Sequence, residues 1–194
     1  DVAVAAADGV VTAVDTVEDP AVGPGRLHRV VTFLSAFDVH VQKTPTDGVV
    51  WITGASGFSG RYLARYIRGL PEKIELLGLG RTLGTEENFD SFHSVDIRDE
   101  AAIRKLAESH PPDRVFHLAG RMPPAPEDEM WGTNVGGTLA LLHALKATAK
   151  KGLRILSVGS AAEYLPATSR LTEKHPSGGT TSYGRTKWAQ TILA

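Results

Sequence analysis

The hydrophobic positions of this chain follow two rhythms, and the change comes near residue 48. Upstream, β-branched residues gather in short runs: Val10, Val11 and Thr12 with Val14, then residues 30–34, then residues 39–41. Turn formers separate the runs, most densely from Glu18, Asp19 and Pro20 to Gly23, Pro24 and Gly25. Short strands punctuated in this way predict hairpins. A segment of 48 residues buries too little surface to hold a sheet alone, so it is expected to need a partner surface.

Downstream, strand and helix periods alternate. Residues 49–53 form a short apolar run that stops at Gly54, as a buried parallel strand would. Residues 58–68 carry Leu63, Tyr66 and Ile67 at helical spacing, with arginines on the other side. Further strands are expected at 74–79, 93–95, 115–119 and 154–158. Helices are expected at 99–108 behind an Asp cap, at 138–150, and from 183 to 194. This alternation predicts an α/β fold, a Rossmann doubly wound parallel sheet, with residues 1–48 as a short β-rich N-terminal appendage.

Composition narrows the classes. The chain is 42% hydrophobic and 22% charged, which fits a globular protein. Its net charge of −1 gives no reason to expect nucleic acid. The charge is uneven: residues 1–48 hold seven acidic and three basic side chains, residues 49–194 fifteen and eighteen. Cysteine is absent, which excludes disulfides, thiolate metal sites and a Cys nucleophile. The histidines show no metal-ligand spacing, so no metal is expected, and His117 and His143 fall on apolar faces where core histidines are commoner. Without an apolar run of membrane length or a signal peptide, a cytoplasmic location is expected.

Gly54, Ala55, Ser56, Gly57, Phe58, Ser59 and Gly60 carry the candidate chemistry. Glycines at intervals of three, between a strand and a helix, are the pattern of a dinucleotide-binding turn. The first glycine permits the tight turn, the second lets the backbone approach a pyrophosphate, and the third lets the helix pack on its strand. Helix N-terminal amides then face the anion. About 20 residues later, an acid would hold the ribose hydroxyl of NAD. Here that place is Gly80, Arg81 and Thr82, and a guanidinium suits a 2′-phosphate. The reading leans to NADP, with NAD as the alternative.

Six motifs, taken together, resemble the extended short-chain dehydrogenase/reductase family, the NAD(P)-dependent epimerases and dehydratases of nucleotide sugars. They are the glycine turn; Val95, Asp96 and Ile97; His117, Leu118, Ala119 and Gly120; Asn134, Val135, Gly136, Gly137 and Thr138; Ser160, Ala161, Ala162, Glu163 and Tyr164; and Ser182, Tyr183, Gly184, Arg185, Thr186 and Lys187. The resemblance covers residues 49–194. It implies that Gly54, Ser56, Gly57, Phe58, Gly60, Arg81, Asp96, Ile97, Leu118 and Ala119 meet the cofactor, Asp96 at the adenine. It also implies that Ser160, Tyr183 and Lys187 are catalytic, the last two touching the cofactor as well. The residue types suit the task. A free Tyr titrates near 10 and is a poor base at neutral pH. A Lys four residues on shares its helical face and favours the phenolate.

Two departures from the family bear on function. Dehydratases of the family carry an acid where this chain has Ala162, which points to reduction or epimerisation at a sugar hydroxyl rather than loss of water. Glu163 is expected to point elsewhere. The family also continues beyond the Tyr-x-x-x-Lys helix into a smaller sugar-gripping domain, so the expectation is a Rossmann part without its substrate domain. An uncovered sheet edge and helix face would then favour self-association or a missing remainder of the chain.

Residues 1–48 resemble something else. Ala7, Asp8, Gly9, Val10 and Val11, and the run from Phe33 through Asp38, Val39 and His40 to Pro45, are similar to part of the phosphatidylserine decarboxylase proenzymes. That resemblance implies self-cleavage roles for Asp8 and His40. The pyruvoyl-forming Gly-Ser context is absent, and without an electron sink an Asp and a His cannot decarboxylate a head group. Asp8 is therefore expected in a turn and His40 on a strand. Three classes stay open at this point: a nucleotide-sugar oxidoreductase or epimerase, a non-catalytic dinucleotide-binding module, and a decarboxylase fragment.

Overall fold

In the computed structural model the described residues are 10–18, 26–33, 48–82, 86–148, 150–168, 172 and 175–194. The chain divides into two units, Asp1–Thr46 and Asp47–Ala194. In the first, β1 (Val10–Glu18) pairs antiparallel with β2 (Arg26–Phe33), and the register shifts between Val11 and Ala13. β1 extends past the β-branched run that announced it and β2 begins before its own, while the expected turn between them lies outside the described residues. The expected strand at 39–41, together with Asp8 and His40, lies outside the described residues.

The second unit is a five-stranded sheet with all pairings parallel, in the order β5-β4-β3-β6-β7. Its strands are β3 (Gly48–Thr53), β4 (Ile74–Gly80), β5 (Ser91–Ser94), β6 (Arg114–His117) and β7 (Arg154–Ser157). The chain builds outward from β3 to β5, then returns to place β6 on the other side of β3. The order reverses there, and the carboxyl ends of β3 and β6 diverge into a crevice, the usual ligand site of such a sheet.

Alternation along β3 explains the two cores. Val50 and Ile52 face α1 (Phe58–Arg68) and pack with Leu63, Ile67, Leu76 and Phe116. Trp51 points the other way and packs with Leu77, Ile103, Leu141 and Leu145. Ile103 comes from α2 (Glu100–Ser109), and Leu141 and Leu145 from α4 (Gly137–Thr148). The expected Asp cap is present: the Asp99 carboxylate accepts the Ala102 N–H at 3.0 Å.

The structure corrects three expectations. The strand expected at 93–95 is Ser91–Ser94, because Gly78 on β4 leaves a gap that Phe92 fills; a Cβ there would stand 2.7 Å from the Phe92 ring. The helix expected at 138–150 has a helical run-up, α3 (Glu127–Met130) and then a π-helical stretch, Trp131–Gly136. His143 is exposed rather than in the core, with Nδ1 3.5 Å from a Glu100 carboxylate oxygen.

Candidate functional site

A cleft of about 460 Å³ opens at the crevice between β3 and β6. Gly54, Ser56 and Gly57 line it after β3, and Gly80, Arg81 and Thr82 after β4. Val95, Asp96 and Ile97 follow β5, and Leu118, Ala119, Gly120 and Arg121 follow β6. Of the residues expected at a cofactor, Phe58, Gly60, Tyr183 and Lys187 are not among the lining residues. Phe58 is exposed, its ring 4.7 Å from that of Tyr62.

The glycine turn has the geometry its spacing announced. Gly54 takes φ +68°, and a Cβ there would lie 2.9 Å from backbone atoms of Leu118 and Ala119. Gly57 begins the helix in extended conformation, and the Arg61 N–H is the donor that returns to its carbonyl. The amides of the first turn before Arg61 have no intrahelical acceptor. No side chain caps this end and no acid stands in its first turn. An uncapped helix N-terminus beside a cleft is a site for an anion.

Charge flanks the turn. Arg81 is exposed at the rim. Hydrogen bonds from Arg98 hold the Asp96 carboxyl well below its usual range, at about 2, with the Arg81 charge adding to the effect. Asp96 is therefore an anion at neutral pH, already paired with Arg98.

Behind the cleft runs a buried chain of hydrogen bonds. The Thr138 hydroxyl is 2.6 Å from the Asn134 carbonyl, which can only accept, so the hydroxyl donates there. His117 Nε2, 2.9 Å from the Thr138 hydroxyl oxygen, must then carry the hydrogen. Nδ1 accepts from the Thr53 hydroxyl at 2.8 Å, and that oxygen accepts the Ala119 N–H at 3.0 Å. The imidazole is neutral: burial, and then the charge of Lys187, push it down to about 4. It ties β3, β6 and α4 together directly behind the cleft.

Above pH 6.5 the His117 ring is neutral folded or unfolded. Below that, the unfolded chain takes a proton that the fold refuses, so stability falls between pH 6.5 and 4 by up to about 3 kcal/mol. Urea melts across this window are expected to show the slope, and His117→Gln to flatten it. His93, also lowered by burial and by His110, contributes with the same sign and remains in the variant. An equal slope in the variant would contradict the neutral ring.

On the far side of β6, Ser160 opens a 3-10 turn, Ala161–Glu163. Its hydroxyl oxygen accepts the Ala162 N–H at 3.2 Å, which leaves its own hydrogen free to be donated. Glu163 closes the turn: it accepts the Ser160 N–H at 2.5 Å and the Thr191 hydroxyl at 2.8 Å. Tyr183 and Lys187 lie one turn apart on α5 (Ser182–Leu193), whose end Thr181 caps by accepting the Gly184 N–H. Tyr183 is half-buried. Lys187 is buried, with Nζ donating to the Val158 carbonyl at 2.6 Å and to Gln190. Burial lowers its pKa, and the Glu163 charge works against that.

Residues 50–194 match the family model described as the NAD dependent epimerase/dehydratase family. The chain belongs to that family. It is 30% identical over 165 residues to UDP-glucose 4-epimerase 2 of Oryza sativa subsp. japonica, covering 76% of this chain and 40% of the rice protein. It is 30% identical over 146 residues to dTDP-6-deoxy-L-talose 4-dehydrogenase (NAD(P)(+)) of Kitasatospora kifunensis, covering 73% and 45%. The crystal structure of the Bordetella bronchiseptica enzyme WbmG in complex with NAD superposes with a TM-score of 0.65 at 27% identity, covering 77% of this chain and 49% of that one. The chain thus spans less than half the length of these epimerase-family relatives.

Sequence reasoning missed the buried Gln190 and assigned no role to Asn134 and Thr186, although both stand in its motifs. Asn134, in the π-helical stretch, is buried and accepts the Arg121 N–H at 2.7 Å. Its amide donates to the Arg121 carbonyl and to the Thr186 hydroxyl, both at 2.9 Å, joining the cleft wall to α5. Gln190 is buried and reaches Ser157 on β7 at 3.2 Å. Its place three residues after Lys187, on one helical face, was the available signal. No helix among the described residues is long and apolar enough to cross a membrane.

Proposed function

We propose that residues 49–194 hold a nicotinamide dinucleotide, NADP in preference to NAD, for hydride chemistry at a hydroxyl or keto carbon of a nucleotide sugar. The observation that carries this reading is the uncapped N-terminus of α1 opening on the cleft, with Gly54 pressed against the β6 loop so that backbone amides are bared where a diphosphate would lie. Arg81 supports the NADP preference: it stands at the rim where NAD-specific sites place an acid. The dinucleotide supplies a hydride acceptor or donor when bound.

The chain's own groups do the rest. Ser160 and Tyr183 are the catalytic hydroxyls of this reading: Ser160 donates to the reacting sugar oxygen, and Tyr183 takes or returns its proton. Lys187 supplies positive charge one helical turn from Tyr183. Among the described residues, the lack of a free acid at positions 161–163 supports epimerisation or reduction over dehydration. Ala161 and Ala162 carry none, and the Glu163 carboxylate is buried on the Ser160 amide and Thr191. Incubating the protein with cofactor and a panel of nucleotide sugars tests this by mass. The expected product has the substrate's mass or differs by two hydrogens; a product lighter by one water would contradict the reading.

A further inference from the structure

Among the described residues three ionisable side chains are buried: His117, Glu163 and Lys187. His117 is neutral, so the interior beside Ser160 holds one cation and one anion. Each satisfies its hydrogen bonds with uncharged partners. Lys187 donates to the Val158 carbonyl and Gln190, while Glu163 accepts from the Ser160 amide and the Thr191 hydroxyl.

The two charges nevertheless share their supports. Val158, Gly159 and Ser160 are consecutive: Lys187 holds the first and Glu163 the third. Between them, a Cβ on Gly159 would meet a Glu163 carboxylate oxygen at 3.0 Å and the Thr191 hydroxyl at 3.7 Å. On α5, Lys187 and Thr191 are four residues apart and so lie on one face. A buried charge without a counter-charge is costly enough that the group tends to lose it.

We propose that Glu163 is a positioning residue whose buried carboxylate balances the Lys187 ammonium across the Gly159 turn while its hydrogen bonds fix Ser160 against α5. The proposal rests on the reading of Ser160 and Lys187 given above, and deepens it. Among the described residues, the titratable groups that face Lys187 are Glu163 from the turn and His117 from β6, with Tyr183 one turn back on its own helix. His117 is uncharged, which leaves Glu163 as the counter-charge. Loss of that charge would let burial lower the Lys187 pKa unopposed, and the alkaline limit of turnover would follow it down.

The experiment reads Lys187 directly, by its side-chain 13Cε resonance against pH in the full chain, assigned by its absence in Lys187→Met. Glu163→Gln keeps an oxygen for the Ser160 N–H and an amide for Thr191 but removes the charge. The Lys187 midpoint is expected to fall by about one pH unit or more. An unchanged midpoint in a variant with native amide shifts would overturn the proposal. Should Glu163→Gln not fold, Lys187→Met reports the reciprocal effect. The Glu163 13Cδ midpoint is then expected to rise by about one pH unit, and its failure to rise would overturn the proposal equally. Neither titration needs cofactor or turnover. A shifted midpoint in a protein that binds no dinucleotide would retain the charge pair and dismiss the proposed function.

Discussion

Gly60→Ala is expected to lower dinucleotide affinity roughly tenfold or more, equivalent to about 1.4 kcal/mol, and to destabilise the fold. Alanine is the better helix former by about 1 kcal/mol, so propensity alone argues the other way. Space decides. A Cβ on Gly60 would lie 2.5 Å from the Gly54 carbonyl oxygen and 2.8 Å from the Ala55 Cα, both backbone atoms that cannot turn aside. Overpacking of this kind costs about 1–3 kcal/mol, and relief requires α1 to slide away from β3, carrying its amides out of position. Gly136→Ala is the control, because nothing lies within 4 Å of its Cβ position. Cofactor titration and urea melts of the two variants should separate cleanly. Equal affinity for cofactor in Gly60→Ala would show that the helix end is not the anchor.

Gly184→Ala is expected to act on chemistry rather than on cofactor binding. The Gly184 Cβ position is only 2.2 Å from the Ala162 carbonyl oxygen and 3.2 Å from the Gly179 Cα. Gly178 and Gly179 donate their amides to the Glu163 carbonyl at 2.8 and 2.9 Å, so the Ser160 turn, this loop and α5 are locked backbone to backbone. A methyl group at Gly184 must push α5, with Tyr183 and Lys187, away from Ser160. Displacement of reacting groups by about 1 Å can cost on the order of 100-fold in rate. The cleft takes no lining residue from α5, so cofactor affinity should change little. Turnover falling about 100-fold at nearly constant cofactor Kd is the expected signature. Retained turnover would separate α5 from the chemistry.

These two glycines also mark how far the sequence could be read. Gly60 was legible because its constraint is local: a strand, a turn and a helix in succession give the spacing its meaning. The same holds for the Asp99 cap and for the switch of rhythm near residue 48. Gly184 sat inside a recognised motif, but the need for a glycine there comes from Ala162, on another element. The buried polar groups were illegible for the same reason. Thr53 meets His117 across 64 residues and Ala119 across 66, and Asn134 meets Thr186 across 52. Periodicity carries no information about such pairs. For Glu163 the sequence offered only its place beside Ala162, and its partner Thr191 lay 28 residues on and went unseen. His143 misled because an apolar helical face makes a core histidine the commoner outcome, whereas the margin of this face beside Glu100 is open. The edge strand was misplaced because Ser91 and His93 carry no strand-like pattern, and the cue lay in Gly78 on its neighbour.

The central claim is that bared amides at the start of α1 hold the diphosphate of a nicotinamide dinucleotide. Calorimetric titration of the folded chain with NADPH, and separately with NADH, tests it most directly. The account predicts saturable heat at one site per chain, with NADPH the tighter ligand. No heat with either ligand, from protein whose amide spectrum shows a folded sheet, would contradict it.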